Sequence, residues 1–357
     1  MTGRTIAVVT CYRQPDYVRA IALRKAAAKS FDNVVVVKNR SSGVARYLQV
    51  TRQLLALRGA RRPDAYLVTF RGYEILPVVL ALAGGRPVYY DEFINPVEWF
   101  VFEHHKFSPK SVRARLLRWL FRRLMKRTAG VLTDTASHAD YSAELLDLDR
   151  SMFHPVPVGS DDETFMPGIS HPDRPGLRIL YYGSMLPLHG LSVVLEAAVL
   201  LKDLPDVSLV LVGGTDATRS QVEDARARGA RIEYESWVPY AKLPALIASS
   251  DLMLGGPFGD TVQSQFVITG KTYQFLGAGM PTVIGINRET GVFTDRVDSL
   301  LVKQGSGAAL ADAFRWAAEN RSKLSEIGRE GRALYEREFS GVVVAERLGV
   351  VFDEPAA

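Results

Sequence analysis

Short apolar, β-branched runs alternate with helix-length amphipathic stretches along nearly the whole chain, and no other feature constrains the fold as strongly. The runs at 5–10, 34–38, 65–70, 87–90 and 130–133 are four to six residues long. Helical stretches at 17–29, 44–58, 74–83, 111–128 and 137–146 lie between or after them. Runs this short and continuously apolar read as strands buried on both faces of a parallel sheet. Strands alternating with helices at this spacing give a doubly wound α/β domain.

The pattern lapses in VGSDDETFMPGISHPDRPG, at 158–176, which is rich in Pro, Gly and Asp. It then restarts, with strands at 177–182, 207–213, 231–234, 251–254, 282–286 and 299–302. Helices are expected at 190–201, 221–228, 242–248, 308–320 and 324–339. The chain of 357 residues suits two domains. The expectation is α/β, two doubly wound Rossmann-like domains in tandem, facing each other across a cleft. The first spans 1–160, a linker 161–176 and the second 177–340, with a tail at 341–357 placed to pack back on the first domain. Ligands of such sheets lie beyond the carboxyl ends of the strands.

No stretch approaches the roughly 18 uncharged apolar residues of a spanning helix. The N-terminal run precedes Arg13 without a small-residue cleavage site, so it reads as a strand, not a signal peptide. Cys11, the single cysteine, excludes an internal disulfide and suits a reducing, cytoplasmic setting. Charge is uneven: 25 Lys and Arg against 16 Asp and Glu in 1–165, and 19 against 23 thereafter. The first half therefore favours an anionic partner.

Three segments of the second half carry chemistry. In VITGKTYQFLGAGMPTVIGI, at 267–286, Gly270 and Lys271 open a helix that Gly277, Gly279 and Pro281 end. A helix start pointing out of a parallel sheet offers amides and a positive dipole end to an anion. An ordinary βα unit with a surface lysine is the plain alternative. In YYGSMLPLHGLSVVLEAA, at 181–198, Gly183 permits close backbone approach and Gly190 opens a helix; Ser184 and His189 lie between. His189 is read as a ligand-facing residue or as a structural loop histidine. Trp237 and Val238 begin the third segment, WVPYAKLPALIASSDLML, in which Asp251 reads as structural.

In the first half, Asp91 and Glu92 follow one strand and are read as orienting an acceptor hydroxyl or as solvated. His138 follows another strand, where Asp134 and Ser137 read as structural. Arg13 sits in the first loop. Residues 106–127 combine Lys106, Lys110, Arg113, Arg115, Arg118, Arg122, Arg123, Lys126 and Arg127 with interleaved Leu116, Leu117, Trp119, Leu120, Phe121 and Leu124. This is the composition of an interfacial helix on an anionic membrane surface, or of a core-packed helix with a solvated basic face. No motif supports nucleic-acid binding.

These segments resemble retaining glycosyltransferases of family 4, of the GT-B fold. The matching residues of 267–286 are Lys271, Gln274, Gly277, Ala278, Gly279, Pro281, Thr282 and Val283. The 181–198 segment is similar to the one that holds the donor diphosphate, in the Pro-Leu-His-Gly form of some bacterial members. Here His189 stands where lysine is usual and Ser184 where arginine is common. The resemblance implies transfer of a sugar from a nucleotide-diphospho-sugar, UDP- or GDP-linked, to a hydroxyl acceptor such as a glycolipid or cell-surface polysaccharide precursor. It implies no metal and no further cofactor. It assigns catalysis to Lys271, His189 and Asp91, and the acceptor side to Arg13, Glu92 and His138. Donor binding falls to Gly183, Ser184, Gly190, Trp237, Val238, Gly270, Gln274 and the backbone of Phe266, Val267, Ile268 and Thr269. The sequence departs from the family at Phe266, where a glutamate is usual, at Gln274, where a second one is, and near Asp91, where many members have histidine. Three rivals stay open: a sugar-nucleotide epimerase or phosphorylase, a non-catalytic sugar-nucleotide binding partner, and a membrane-bound scaffold.

Overall fold

The computed structural model describes residues 3–59, 62–167 and 175–354. Its contacts divide into two compact units, Met1–Gly159 with Gly341–Ala357, and Ser160–Ser340.

The first unit holds β1 (Thr5–Thr10), β2 (Asn33–Lys38), β3 (Ala65–Thr69), β4 (Val88–Asp91), β5 (Gly130–Thr133) and β6 (Phe153–Pro155). Its helices are α1 (Val18–Ser30), α2 (Ala45–Ala56), α3 (Leu76–Leu82), α4 (Val112–Met125) and α5 (Ala136–Leu146). The six strands are all parallel in the order β2-β1-β3-β4-β5-β6, with Ile6 of β1 opposite both Val34 and Ala65. Hydroxyl caps start two of the helices: Ser111 accepts from the Ala114 amide and Thr135 from that of His138. One apolar layer runs from Val9 and Val68 to Phe121 and Met125; the other gathers Ile6, Leu23, Leu67 and Leu132. The short β6, which pairs Phe153 with Val131, is too brief to register as a strand in the sequence.

The second unit holds β7 (Leu177–Tyr182), β8 (Val207–Val212), β9 (Ile232–Glu235), β10 (Leu252–Leu254), β11 (Thr282–Ile286) and β12 (Leu300–Lys303). Between them lie α6 (Leu191–Val199), α7 (Asp216–Ala227), α8 (Leu243–Ala248) and α9 (Gly270–Gly277), followed after β12 by α10 (Gly307–Glu319) and α11 (Arg321–Glu338). This sheet is also parallel, ordered β12-β11-β10-β7-β8-β9. α7 begins earlier than the sequence pattern indicates, because Thr215 and Thr218 form a reciprocal capping box. α9 ends in a Schellman turn: Gly279 takes φ +71, its amide bonds to Leu276 O and that of Met280 to Phe275 O.

Two parts of the expected linker and tail have structure of their own. Phe165 is buried beside Leu180 and Phe275, and Tyr335 donates to Asp162 at 2.5 Å while accepting from the Ser160 amide. The stretch up to Phe165 is thus fastened to the second unit; 168–174 lie outside the described residues. The tail forms α12 (Gly341–Asp353), which packs on α1 of the first unit. Its Val344, Leu348, Val351 and Phe352 complete the apolar layer around Leu23 and Leu67. Phe352 meets Phe31 and Tyr89 edge-on, with centroids 5.1 and 4.9 Å apart.

Removing that ring leaves a cavity between two elements far apart in sequence. Phe352→Ala is expected to lower the unfolding free energy of the first unit by about 3 kcal/mol, the scale of an aromatic-to-alanine core truncation. Urea unfolding followed by circular dichroism checks this; an unchanged midpoint would show that α12 contributes nothing to the core.

Candidate active site

From β7 the second sheet grows through β8 and β9 on one side, and through β10, β11 and β12 on the other. β7 and β10 therefore flank the point where strand order reverses, the place beyond whose carboxyl ends ligands of open α/β sheets bind. The loops following these two strands carry Gly183 to Gly190 and Gly255 to Thr269.

Backbone contact locks the loops together. Gly190 has φ +67, and a Cβ there would stand 2.4 Å from the Gly259 nitrogen, so no other residue fits. The Gly259 amide donates to Leu188 O at 3.0 Å. Gly183 has φ +150 and leaves a gap: a Cβ there would lie 3.4 Å from the His189 ring and 3.9 Å from Lys271 Nζ. His189, Lys271 and the Gly183 backbone thus converge on one spot. Ser184 is exposed beside them.

Lys271, in the first turn of α9, is 6% exposed. Among the described residues no carboxylate forms an ion pair with it; its neighbour is the Tyr181 ring, 4.9 Å from Nζ. Burial lowers its pKa to about 7. The Tyr181 hydroxyl donates to His189 O at 2.5 Å and so fixes the histidine loop against the lysine. Burial first, and then the Lys271 charge, hold the His189 imidazole well below its ordinary value, so the ring is neutral at pH 7. Its Nδ1 is buried without a hydrogen-bond partner among the described residues. Thr269 is the N-cap residue of α9, but its hydroxyl donates to Gly255 O at 2.6 Å and leaves the first-turn amides uncapped. A buried ammonium, helix-start amides without a side-chain cap and an unmatched ring nitrogen beside Gly183 are groups whose chemistry suits an anion.

The other expected donor residues are placed differently. Gln274 is buried, and its Oε1 accepts from Tyr182 at 2.5 Å; Tyr240 also hydrogen-bonds its side chain. Phe266, Val267 and Ile268 are buried, and Thr269 is spent on Gly255. Asn287 fixes this loop through Ser264 O and Val267 O, while Gln304 bonds Ser264 O and Pro257 O. Trp237 stands 72% exposed, past β9 and two strands from β7; Val238 packs near Leu243 and Leu180. Tyr181, Tyr182, Asn287 and Gln304 are not among the residues that the sequence pattern points to. The adjacent tyrosines ending β7 were a usable signal, since neighbours in a strand serve opposite faces; the two amides offered none.

In the first unit Asp91 is fully buried. One carboxylate oxygen accepts from Arg19 Nε and Nη2 at 3.1 and 3.0 Å, the other from the Phe70 amide at 3.1 Å. Arg19 Nη1 continues to Val156 O and Pro157 O. Asp91 therefore ties β3, β4, α1 and the chain after β6 together and exposes no oxygen to an acceptor. Glu92 is also buried, held by Asn95 and Ser142 near His138. Burial opposes charge on His138, but Asp134 at 2.6 Å, together with Glu92 and Glu98, outweighs it and raises the ring's pKa. Arg13 is exposed in the loop after β1. Asp147 of the Asp147-Leu148-Asp149 turn pairs with Arg122 at 2.5 Å, and Asp149 caps Ser151.

The lysine sets a pH signature. Below pH 7 its charge is buried in the folded chain and hydrated in the unfolded one, so folding bears the full desolvation cost. That cost fades as pH rises from about 7 toward the ordinary value of 10.5. Lys271→Met is expected to be more stable than the unaltered protein, most so below pH 7, with the gap closing by about pH 10. Thermal unfolding across that range checks it; a pH-independent gap would mean the ammonium is not desolvated.

No curated protein matches the chain by sequence. Residues 176–320 match the family described as glycosyl transferases group 1. Among solved structures, HepE of Anabaena, crystallised with UDP and glucose, is 14% identical, covers 98% of this chain and 99% of its own, and superposes with a TM-score of 0.72. Sucrose-phosphate synthase of Thermosynechococcus elongatus is 13% identical over 98% of both chains, with a TM-score of 0.70. TarM of S. aureus, solved with UDP, is 13% identical over 86% of this chain and 59% of its own, with a TM-score of 0.62. With two parallel six-stranded α/β units the chain has the GT-B fold of these structures, and its residues 176–320, which include Lys271, are similar to glycosyl transferases group 1.

Proposed function

We propose that the chain is a retaining glycosyltransferase that draws on a UDP-sugar, binding the donor at Lys271 and the acceptor hydroxyl through its first unit. The carboxylate-free, buried ammonium of Lys271 carries this reading, because a diphosphate supplies the missing counter-charge. HepE and TarM were both crystallised with UDP, which favours uracil over the other bases. The bond from the anomeric carbon to the diphosphate breaks while one forms to the acceptor oxygen on the same face. The hydroxyl proton passes to the departing phosphate oxygen. Lys271, the α9 amides of Gly270 and Lys271, Ser184 and a hydrogen bond from His189 oppose the charge that develops on the diphosphate. Backbone groups of 266–269 and Gln274, rather than a glutamate, are left to recognise the sugar and ribose. Trp237 lies open to a base.

UDP is expected to bind in the micromolar range and more tightly than GDP, dTDP or ADP. Lys271→Ala should weaken it by at least ~1.5 kcal/mol, the scale of a charge-assisted hydrogen bond. Because the diphosphate raises the lysine pKa, binding at pH 8 should take up close to one proton, and less at pH 6. Calorimetry in buffers of different ionisation enthalpy measures both. Failure of all four nucleotides to bind would overturn the donor reading; binding without turnover of any UDP-sugar would leave a sugar-nucleotide partner protein instead.

The same proposal sets the enzyme on the inner face of an anionic membrane. Among the described residues no helix is long and apolar enough to cross one. α4 buries Ala114, Phe121, Leu124 and Met125 in the core and leaves Val112, Leu116, Trp119 and Leu120 exposed. These four lie at positions i, i+4, i+7 and i+8, one stripe of the helix, flanked by Arg113, Arg115 and Arg123. Phosphatidylglycerol vesicles are expected to retain the protein, less so at high salt. Replacing Leu116 and Trp119 with serine should release it; equal retention would exclude α4 as the contact.

A further inference from the structure

Two consecutive non-glycine residues with positive φ, Phe70 (+27) and Arg71 (+51), follow β3 in the first unit. Side chains bigger than glycine adopt this conformation only at a cost, and it persists where the surroundings enforce it. Here they do. The buried Asp91 carboxylate accepts the Phe70 amide, and the Phe70 ring stacks on Tyr17 at 4.0 Å and meets Tyr12 and Phe93 at 4.9 and 5.2 Å. The turn lies beside the reversal of strand order in this sheet, between β1 and β3, where ligands of open α/β sheets bind.

The enforced turn presents Arg71. Its guanidinium is half-buried and lies 5.5, 5.8 and 5.1 Å from the rings of Tyr12, Tyr73 and Trp99. Nη2 donates to the Tyr73 hydroxyl at 2.9 Å, and the Tyr12 hydroxyl is a second neutral partner. Among the described residues no carboxylate forms an ion pair with it; Glu74, three positions on, is taken by Arg46. Rings attract a cation, but they do not neutralise it. A guanidinium has five N–H donors in a planar fork, and most of these remain open. The Tyr90 hydroxyl, fully buried and without a hydrogen-bond partner among the described residues, lies within electrostatic reach of the same charge. A strained turn, an uncompensated cation and an aromatic surround together describe a place for a planar or tetrahedral oxyanion attached to a ring-bearing molecule.

We propose that Arg71, in its surround of Tyr12, Tyr73 and Trp99, binds an oxyanion of the acceptor, a phosphate or carboxylate carried near the hydroxyl that receives the sugar. This rests on the reading of the first unit as the acceptor side. Asp91 and Arg19 then serve as positioning residues: they hold the turn and touch no ligand.

The full-length protein saturated with UDP, so that the diphosphate site is filled, is titrated with glucose 1-phosphate, glucuronate and uncharged glucose. Trp99 lies close enough to report binding through fluorescence. The two anions are expected to bind saturably and glucose at least tenfold more weakly. Arg71→Gln should weaken both anions at least tenfold, and Arg71→Lys, which keeps charge without the fork, should weaken them less. UDP affinity should stay unchanged in both variants; this separates a failure here from a failure of the donor reading and confirms a folded protein. Competition by phosphatidic acid vesicles, absent with phosphatidylcholine, would assign the anion to a lipid headgroup; no competition would assign it to a soluble acceptor. Equal binding of glucose and the anions, or no saturable binding, or Arg71→Gln binding as tightly as the unaltered protein, overturns the proposal.

Discussion

A lysine ammonium buried without a carboxylate is the constraint around which the second unit is built. Water would hydrate that charge far better than the Tyr181 ring does, and burial lowers the Lys271 pKa accordingly. The fold sustains the cost because the loops after β7 and β10 meet backbone to backbone at Gly190 and Gly259, and the Schellman turn at Gly279 anchors the far end of α9. What results is a preorganised cation, held in place and short of an anion before any ligand arrives.

The first unit solves a related problem with opposite logic. Its buried charge is paired: Arg19 and Asp91 satisfy one another and three backbone groups. A buried pair of this kind adds little net stability over apolar packing, since desolvation offsets most of the attraction. Its consequence is geometric. The pair fixes the Phe70 amide, and that amide fixes the turn bearing Arg71. Thus Lys271 on a helix start and Arg71 on a strained turn are cations without a carboxylate partner among the described residues, each near the carboxyl edge of its own sheet.

Much of the C-terminal site was legible in the residues. Gly183, His189, Gly190 and Lys271 are local signals, each announcing a turn, a helix start or a charge within a few positions, and the structure gathers them around one gap. Gln274 was legible as a polar residue on the same helix, though not its engagement by Tyr182. The N-terminal site was much less so. Asp91 looked like a side chain entering an open crevice because it ends a strand, but the residue that consumes it, Arg19, lies on a helix far away in sequence. Arg71 drew no attention, since an arginine after a strand is commonplace and its backbone conformation leaves no mark in the sequence. The tail offered an apolar pattern, but only the layer around Leu23 and Leu67 gives α12 something to cover.

The sequence by itself determined the alternation of strand and helix, the two doubly wound units and the turns and helix starts around His189 and Lys271, because those depend on periodicity, turn residues and spacing over short stretches. Only the tertiary structure decided the strand orders that set where each sheet reverses, the return of α12 to α1, the pairing of Asp91 with Arg19, and the desolvation of Lys271. Each of these arises from atoms brought together across many tens of residues. Burial and charge pairing depend on every neighbour at once, and no local pattern encodes them.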